Sequence, residues 1–324
     1  MTINKALLGH GLFTEFSVTN ALARFKAYTP ADPAVPPAKD NIGRFIQALQ
    51  DMDIRNVWIQ LFSRGGDFDK KNSALRKELV KRLTAAGIDW AGWGYCAGRN
   101  HKTDVGLIKS LRDDLGMTAF VIDAEPGNRV WPNPADPDNK LPDLWTVKEF
   151  EEFTTSVNAL FGTDNLAVST WPILQIQDDP KKNNPVIDLM RAAAPHVCLF
   201  APQAYWMSFP KKVHYNLGYK EKGYPANDPV SYVRLVIQTW RDLKFTSPLV
   251  VSGQAYWGEN SPKLSTMNKK AQQFATGFAD WPKIVGFNWY HAGGKNTADE
   301  GSLSDDMVTA ISKAQLGGKP YAAG

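Results

Sequence analysis

The residues most able to do chemistry are two carboxylates, Asp123 and Glu125, which end the apolar run "TAFVIDAE" at residues 118–125. Charge at the end of a buried segment is costly unless an ion pair or a reaction requires it. Two carboxyl groups whose surroundings push their pKa values apart can act as a general acid and its partner. Two interpretations stay open here: a catalytic pair, or a structural ion pair with Arg64 or Arg99.

The elements that position these acids follow from a regular alternation of apolar runs and amphipathic stretches. The apolar runs are rich in β-branched and aromatic residues, and they span 6–13, 56–63, 88–96, 118–125, 166–171, 197–206, 249–257 and 284–291. Near-continuous apolar strands imply a parallel sheet that helices cover on both faces. Eight strand–helix units in strict order predict a (β/α)8 TIM barrel. No break in composition interrupts residues 1–324, which predicts a single domain.

Helix boundary signals support this order of elements. The candidate N-caps are Asp40 or Asn41, Thr146 and Ser304. The candidate helix-ending glycines are Gly87, Gly116 and Gly162. A doubly wound open sheet is the alternative fold. Its glycine-rich phosphate loop should follow the first strand, but "GHGLFTEF" at 9–16 lacks the third glycine and no obvious helix follows it.

Side chains at the carboxyl ends of the predicted strands are the candidate site, because TIM barrels carry their active sites at that face. Asp123 and Glu125 share one side of predicted strand four, since successive side chains of a strand alternate. Strands six and seven both end in "QAYW", and the chain holds 11 tryptophans. The candidate substrate-binding residues are Gln60, Trp93, Trp171, Gln203, Trp206, Gln254, Tyr256, Trp257, Asn288 and Trp289. Amides and acids bind hydroxyl groups and aromatic faces stack on pyranose rings, so this set indicates a polysaccharide or oligosaccharide partner.

Other classes of function are disfavoured by composition. The net charge is +4, and Lys and Arg are dispersed, so nucleic acid is not an expected partner. Two cysteines do not make a disulfide scaffold, and five dispersed histidines show no zinc-binding spacing. We therefore expect no metal and no cofactor.

The N-terminal stretch "MTINKALLGHGLF" makes a poor signal peptide, and no segment reaches the length of a membrane span. We expect synthesis in the cytoplasm without a membrane partner. A phage lysin, an effector exported by another route and an intracellular scavenging enzyme all fit this expectation. The sequence leaves the oligomeric state open.

The Asp-x-Glu in "IDAEP" resembles the strand-four signature of barrel glycosidases that cleave next to N-acetylhexosamines. These glycosidases include the family 25 lysozymes and the family 18 chitinase-like enzymes. The resemblance implies a glycoside hydrolase acting on peptidoglycan or a chitin-like polysaccharide. It also places Tyr205 where the family 18 tyrosine contacts the substrate acetamido group, and Trp289 where that family has its subsite-floor tryptophan.

The resulting hypothesis makes Glu125 the general acid, with a pKa raised by its acidic neighbour and by aromatic enclosure. Asp123 would orient Glu125 or the substrate acetamide. In a substrate-assisted version, Tyr205 and Asp123 hold the N-acetyl group whose carbonyl attacks the anomeric carbon. A non-catalytic glycan-binding barrel is the main alternative, and a structural or cargo module is a third.

Overall fold

The computed structural model describes most of the chain. The described residues are 2–63, 66–98, 101–126, 130–133, 136–142, 144–179, 184–205, 228–255, 264–277, 281, 283–292 and 303–314, with backbone alone for 130–133, 136–142 and 264. Within these ranges, no helix is long and apolar enough to cross a membrane.

Eight parallel strands close into a barrel. The strands are β1 (Gly9–Thr14), β2 (Asn56–Ser63), β4 (Asp89–Tyr95), β5 (Phe120–Asp123), β8 (Leu166–Thr170), β9 (Leu199–Pro202), β10 (Leu249–Gln254) and β11 (Ile284–Ala292), with the short β3 (Gly66–Asp67) antiparallel to β2. They neighbour one another in chain order, and β1 closes the barrel by pairing with both β2 and β11. A separate hairpin of β6 (Val130–Asn133) and β7 (Asp136–Pro142) follows β5. The predicted TIM barrel is confirmed.

Helices alternate with the barrel strands. They are α1 (Val18–Ala23), α2 (Asn41–Asp51), α3 (Ser73–Ala85), α4 (His101–Leu115), α5 (Val147–Phe161), α6 (Leu174–Gln177), α7 (Val186–Ala193), α8 (Pro229–Asp242), α9 (Leu264–Thr276) and α10 (Asp305–Lys313). The predicted caps are confirmed: the side chains of Asp40, Thr146 and Ser304 accept hydrogen bonds from first-turn backbone amides. Gly87, Gly116 and Gly162 adopt positive φ, which glycine tolerates best.

Two apolar clusters pack on the opposite faces of the barrel strands. The inner cluster fills the barrel, with the large rings of Phe13, Trp58 and Trp93 set against small side chains such as Ala119 and Ala167. The outer cluster lies between the barrel and its helices. Because both faces of each strand are buried, the strands read as apolar runs rather than as alternating patterns.

The structure differs from the sequence expectation at the first strand. The apolar run at 6–13 predicts a strand over those residues, but residues 5–7 form a 3-10 turn and β1 spans Gly9–Thr14. A short helix that the pattern did not predict, α1, follows β1, and the Ser17 side chain caps it. The shift moves the carboxyl end of β1 to Thr14, with Glu15 as the next residue.

Candidate active site

The two acids lie at the carboxyl end of β5. Asp123 is the last residue of β5, and Glu125 lies two residues beyond it. Val121, two residues before Asp123, belongs to the inner cluster, so alternation along the strand directs Asp123 into the barrel mouth. Backbone hydrogen bonds from Cys96 to the Asp123 carbonyl (2.8 Å) and from Ala124 to the Ser169 carbonyl (3.0 Å) fix the chain between the acids. Both carboxylates are buried, at 6% and 5% exposure.

Gln203 binds Asp123 from across the neighbouring strand. Its side-chain Nε2 donates to Asp123 Oδ1 at 2.9 Å and to Ser169 Oγ at 3.2 Å. Its backbone N–H donates to the Thr170 carbonyl at 3.0 Å, which holds the residue against the end of β8. An amide that donates to a carboxylate favours the charged form of that acid. Asp123 is therefore held in place as a hydrogen-bond acceptor at the barrel mouth.

A pair of stacked tyrosines lies beside this group. Tyr205, two residues beyond Gln203, stacks on Tyr290 of β11 with ring centroids 5.1 Å apart and planes 26° apart. The Tyr290 hydroxyl donates a hydrogen bond to the Glu15 carboxylate. Burial raises the pKa of Tyr290 well above its usual range, and the negative charge of Glu15 adds to this, with smaller contributions from Tyr205 and Asp123. Tyr290 thus stays a neutral hydrogen-bond donor.

Glu15 joins the ends of the first and last barrel strands. It lies one residue past β1, its backbone N–H donates to the Ala292 carbonyl at 2.9 Å, and its Oε2 lies 3.0 Å from His291 Nε2. Sequence analysis missed Glu15, Tyr290 and His291. The available signal was the alternation Gly11, Phe13, Glu15, which places the acid on the inner face once the end of β1 is known.

Three further predicted residues lie near the mouth. Gln254 is the buried last residue of β10. The side-chain oxygen of Gln60, from β2, accepts a hydrogen bond from the Phe16 backbone, so Gln60 supports the loop after β1. The Trp171 indole donates to the Pro126 carbonyl at 3.0 Å and so holds the turn that follows Glu125.

Three other predicted residues are buried in the barrel wall or in its filling. Trp289 is fully buried in the outer cluster, where its indole donates to His10 Nε2, while the aromatic of β11 that packs against the inner cluster is Tyr290. The sugar-stacking role of Trp289 stays a prediction. Trp93 is part of the barrel filling, with its indole donating to the Thr14 carbonyl. Asn288 is 1% exposed deep in the barrel, where it occupies the space that a Cβ on Gly11 would need.

The remaining predicted contacts are Trp206, Tyr256 and Trp257, which lie outside the described residues. Arg64 and Arg99, the partners considered for a structural ion pair with the two acids, also lie outside them. In the described part of the chain, no group of three His, Cys, Asp or Glu side chains could hold a metal ion.

Comparison with known proteins bears on the fold. No protein-family model matches the chain, and no curated protein matches it by sequence. Among solved structures, active domain 2 of a thermostable chitinase from Pyrococcus furiosus is 10% identical, with a TM-score of 0.53 over 96% of this chain and 95% of that one. A chitinase from Chromobacterium violaceum is also 10% identical, with a TM-score of 0.50 over 95% and 98%.

An endo-β-N-acetylglucosaminidase from Cordyceps militaris is 15% identical, with a TM-score of 0.49 over 97% of this chain and 92% of that one. With TM-scores of 0.53 and 0.50, the two chitinases show that this chain is similar to chitinases in fold. At these identities the likeness concerns the fold alone.

Proposed function

We propose that the protein is a glycoside hydrolase that cleaves an N-acetylhexosamine-containing polysaccharide of the peptidoglycan or chitin type. The observation that carries the proposal is the acid pair at the carboxyl end of β5, with Asp123 bound by Gln203 and the Tyr205 ring close by. The chitinases of similar fold support the class of substrate, since the Pyrococcus furiosus domain was solved in complex with chito-oligosaccharides.

In the proposed reaction, Glu125 is the general acid. Burial at 5% exposure disfavours the charged form of a carboxyl group, which suits a group that must keep a proton to donate. Glu125 transfers this proton to the glycosidic oxygen as the bond from that oxygen to the anomeric carbon breaks. The carboxylate that remains then accepts a proton from the water that completes hydrolysis.

The second group of the proposed mechanism is the substrate's own N-acetyl carbonyl, which bonds to the anomeric carbon as the leaving group departs. Asp123 would accept a hydrogen bond from the acetamide N–H, whose developing positive charge a carboxylate stabilises. Tyr205 would donate its hydroxyl to the carbonyl oxygen. Water then breaks the new bond at the anomeric carbon and restores the acetamide, so two displacements at one centre predict retained configuration.

Substrate contacts at the mouth would come from the amides Gln60, Gln203 and Gln254 and from Trp171. Trp206, Tyr256 and Trp257, the stacking surfaces expected from the sequence, stay part of the proposed substrate contacts. Amide groups bind sugar hydroxyls in both directions, because each carries a donor and an acceptor.

The test is release of reducing ends from peptidoglycan and chitin oligomers by wild type and Glu125→Gln. We expect the variant to lose at least about a hundred-fold in kcat, the usual contribution of a general acid. Glu152→Gln, on the exposed face of α5, is the matched control and should keep wild-type turnover. Equal hydrolysis by Glu125→Gln and wild type would exclude Glu125 as the acid.

A glycan-binding barrel without turnover is the second candidate. The observation that favours it is the deep burial of both carboxylates, of which Asp123 is already engaged by Gln203. A binding module would retain affinity for the oligomer in Glu125→Gln and would release no reducing ends in either form. Titration calorimetry alongside the hydrolysis assay separates the two functions.

A further inference from the structure

Glu15 is the acid at the barrel mouth that lies apart from Asp123 and Glu125. Its carboxylate is engaged from two sides by consecutive residues of β11: His291 Nε2 lies 3.0 Å away, and the Tyr290 hydroxyl donates to it. His291 is buried, with 6% of its side chain exposed, while Glu15 retains 22%. Because His291 also binds this carboxylate, Glu15 is well placed to restrict the movement of the Tyr290 side chain.

Tyr290, which binds Glu15, lies against the proposed site. Tyr290 stacks on Tyr205, and their rings are nearly parallel. A stacked pair alone leaves each ring free to slide in its plane, because the offset-stacked minimum is broad. A hydrogen bond at the hydroxyl end of Tyr290 removes that freedom, and the ring of Tyr205 then stacks on a ring with a fixed position.

Local backbone geometry supports this arrangement. Strand β1 pairs with β11 through Leu12 opposite Trp289 and then Thr14 opposite Ala292, so Tyr290 and His291 together face a single residue of β1. Such a bulge re-aims the side chains of the longer strand. The Leu303 N–H donates to the His291 carbonyl at 3.1 Å and supports the bulged segment from outside.

We propose that Glu15 is a positioning residue that, together with His291, fixes the ring of Tyr290 and thereby sets where the Tyr205 hydroxyl meets the substrate. The inference rests on the proposed function for the meaning of that contact. It adds two groups, Glu15 and Tyr290, that act through Tyr205 without touching the reacting atoms.

The first test reads the position of Tyr205 without any substrate. The protein is labelled with 13C at tyrosine Cζ, and the Tyr205 signal is assigned with Tyr205→Phe. We expect Glu15→Gln and Tyr290→Phe each to move and broaden the Tyr205 signal, while Asp305→Asn leaves it in place. Asp305 is the matched control because, like Glu15, it is an acid with a charged partner: it forms an ion pair with Arg24 at 2.7 Å. It lies in the segment after β11, but its side chain is 86% exposed. An unmoved Tyr205 signal in both variants, with unchanged circular dichroism, would overturn the inference.

The second test measures how the two residues share one role. Glu15→Gln and Tyr290→Phe should each raise KM for a chitin oligomer, or weaken its binding to the protein, by about three- to ten-fold, the loss expected for one hydrogen bond. The double variant should be no worse than the poorer single variant, because both changes release the same ring. Multiplied effects in the double variant would contradict a shared role.

These outcomes separate the inference from the proposed function. If wild type neither binds nor cleaves any oligomer, the proposed function fails, and the tyrosine signals still decide whether Glu15 positions Tyr205. If wild type cleaves the oligomer and the Tyr205 signal is indifferent to both substitutions, the function stands and the positioning role is wrong.

Discussion

Replacing His10 by glutamine should remove a large acid-dependent loss of stability. His10 is 2% exposed on β1, where its Nε2 accepts a hydrogen bond from the Trp289 indole at 2.6 Å. Nε2 therefore carries no proton, and the protonated Nδ1 donates to the Asp53 carbonyl at 3.0 Å. Burial lowers the pKa of His10 from 6.5 to about 4, against smaller opposing effects of Asp53. The neutral imidazole is thus the folded form at neutral pH.

The sign of the pH dependence follows from this lowered pKa. Between pH 6.5 and about 4, the unfolded chain binds a proton at His10 that the folded chain does not. The free energy of unfolding therefore falls as pH decreases through this window, and it is fully retained above it. The difference between the two pKa values corresponds to about 3 kcal/mol, of which roughly 2.5 kcal/mol is lost by about pH 4.5.

The assay is urea unfolding of wild type and His10→Gln near neutral pH and at about pH 4.5. The glutamine accepts from Trp289 but loses the donor to Asp53, so it should cost about 1 kcal/mol at both pH values. Wild type should lose about 2–3 kcal/mol more than the variant on acidification. The other acids titrate equally in both proteins, and His196→Gln is the histidine control that should follow wild type. Parallel profiles of wild type and His10→Gln would refute the reasoning.

Two further substitutions test the packing around the mouth. Gln203→Leu removes an amide donor from the buried Asp123. It should lower the free energy of unfolding by about 1.5–3 kcal/mol, the usual range for a hydrogen bond to a charged group. An unchanged urea midpoint would show that this bond contributes nothing to stability. Gly11→Ala puts a Cβ where the side-chain oxygens of Asn56 and Asn288 lie, and the forced shift should cost about 1–3 kcal/mol in thermal unfolding. Gly106→Ala, in α4 with no atom near its added Cβ, should instead stabilise the protein by up to about 1 kcal/mol. The packing argument would be contradicted if the two substitutions changed stability alike.

The sequence by itself determined the barrel, because its strands are short apolar runs separated by well-capped amphipathic helices. Strand β2 begins and ends where the apolar run does, and the N-caps at Asp40, Thr146 and Ser304 hold their helices as expected. These signals are local, since each depends on residues within one or two turns of chain. The single domain over residues 1–324 stays a prediction.

The sequence also determined part of the candidate site. Asp123 could be assigned to the barrel mouth because side chains alternate along a strand, so its direction follows once that one strand is located in the sequence. The contact between Asp123 and Gln203 could not be derived, because it joins residues 80 positions apart on strands that are not neighbours. Their roles in catalysis and substrate binding remain predictions.

Tertiary structure alone decided which face of the last strand looks into the barrel. Both faces of β11 are buried, so "VGFNWYH" shows no alternation, and sequence gave no reason to prefer Tyr290 over Trp289. The bounds of β1 were equally hidden, because Ala6 and Leu7 are apolar enough to extend the strand at its start but belong to a 3-10 turn. Closure of β1 against β11 sets the bulge, and with it the meeting of Glu15, His291 and Tyr290. That meeting depends on barrel closure, which brings the two ends of the chain together and which no local pattern records.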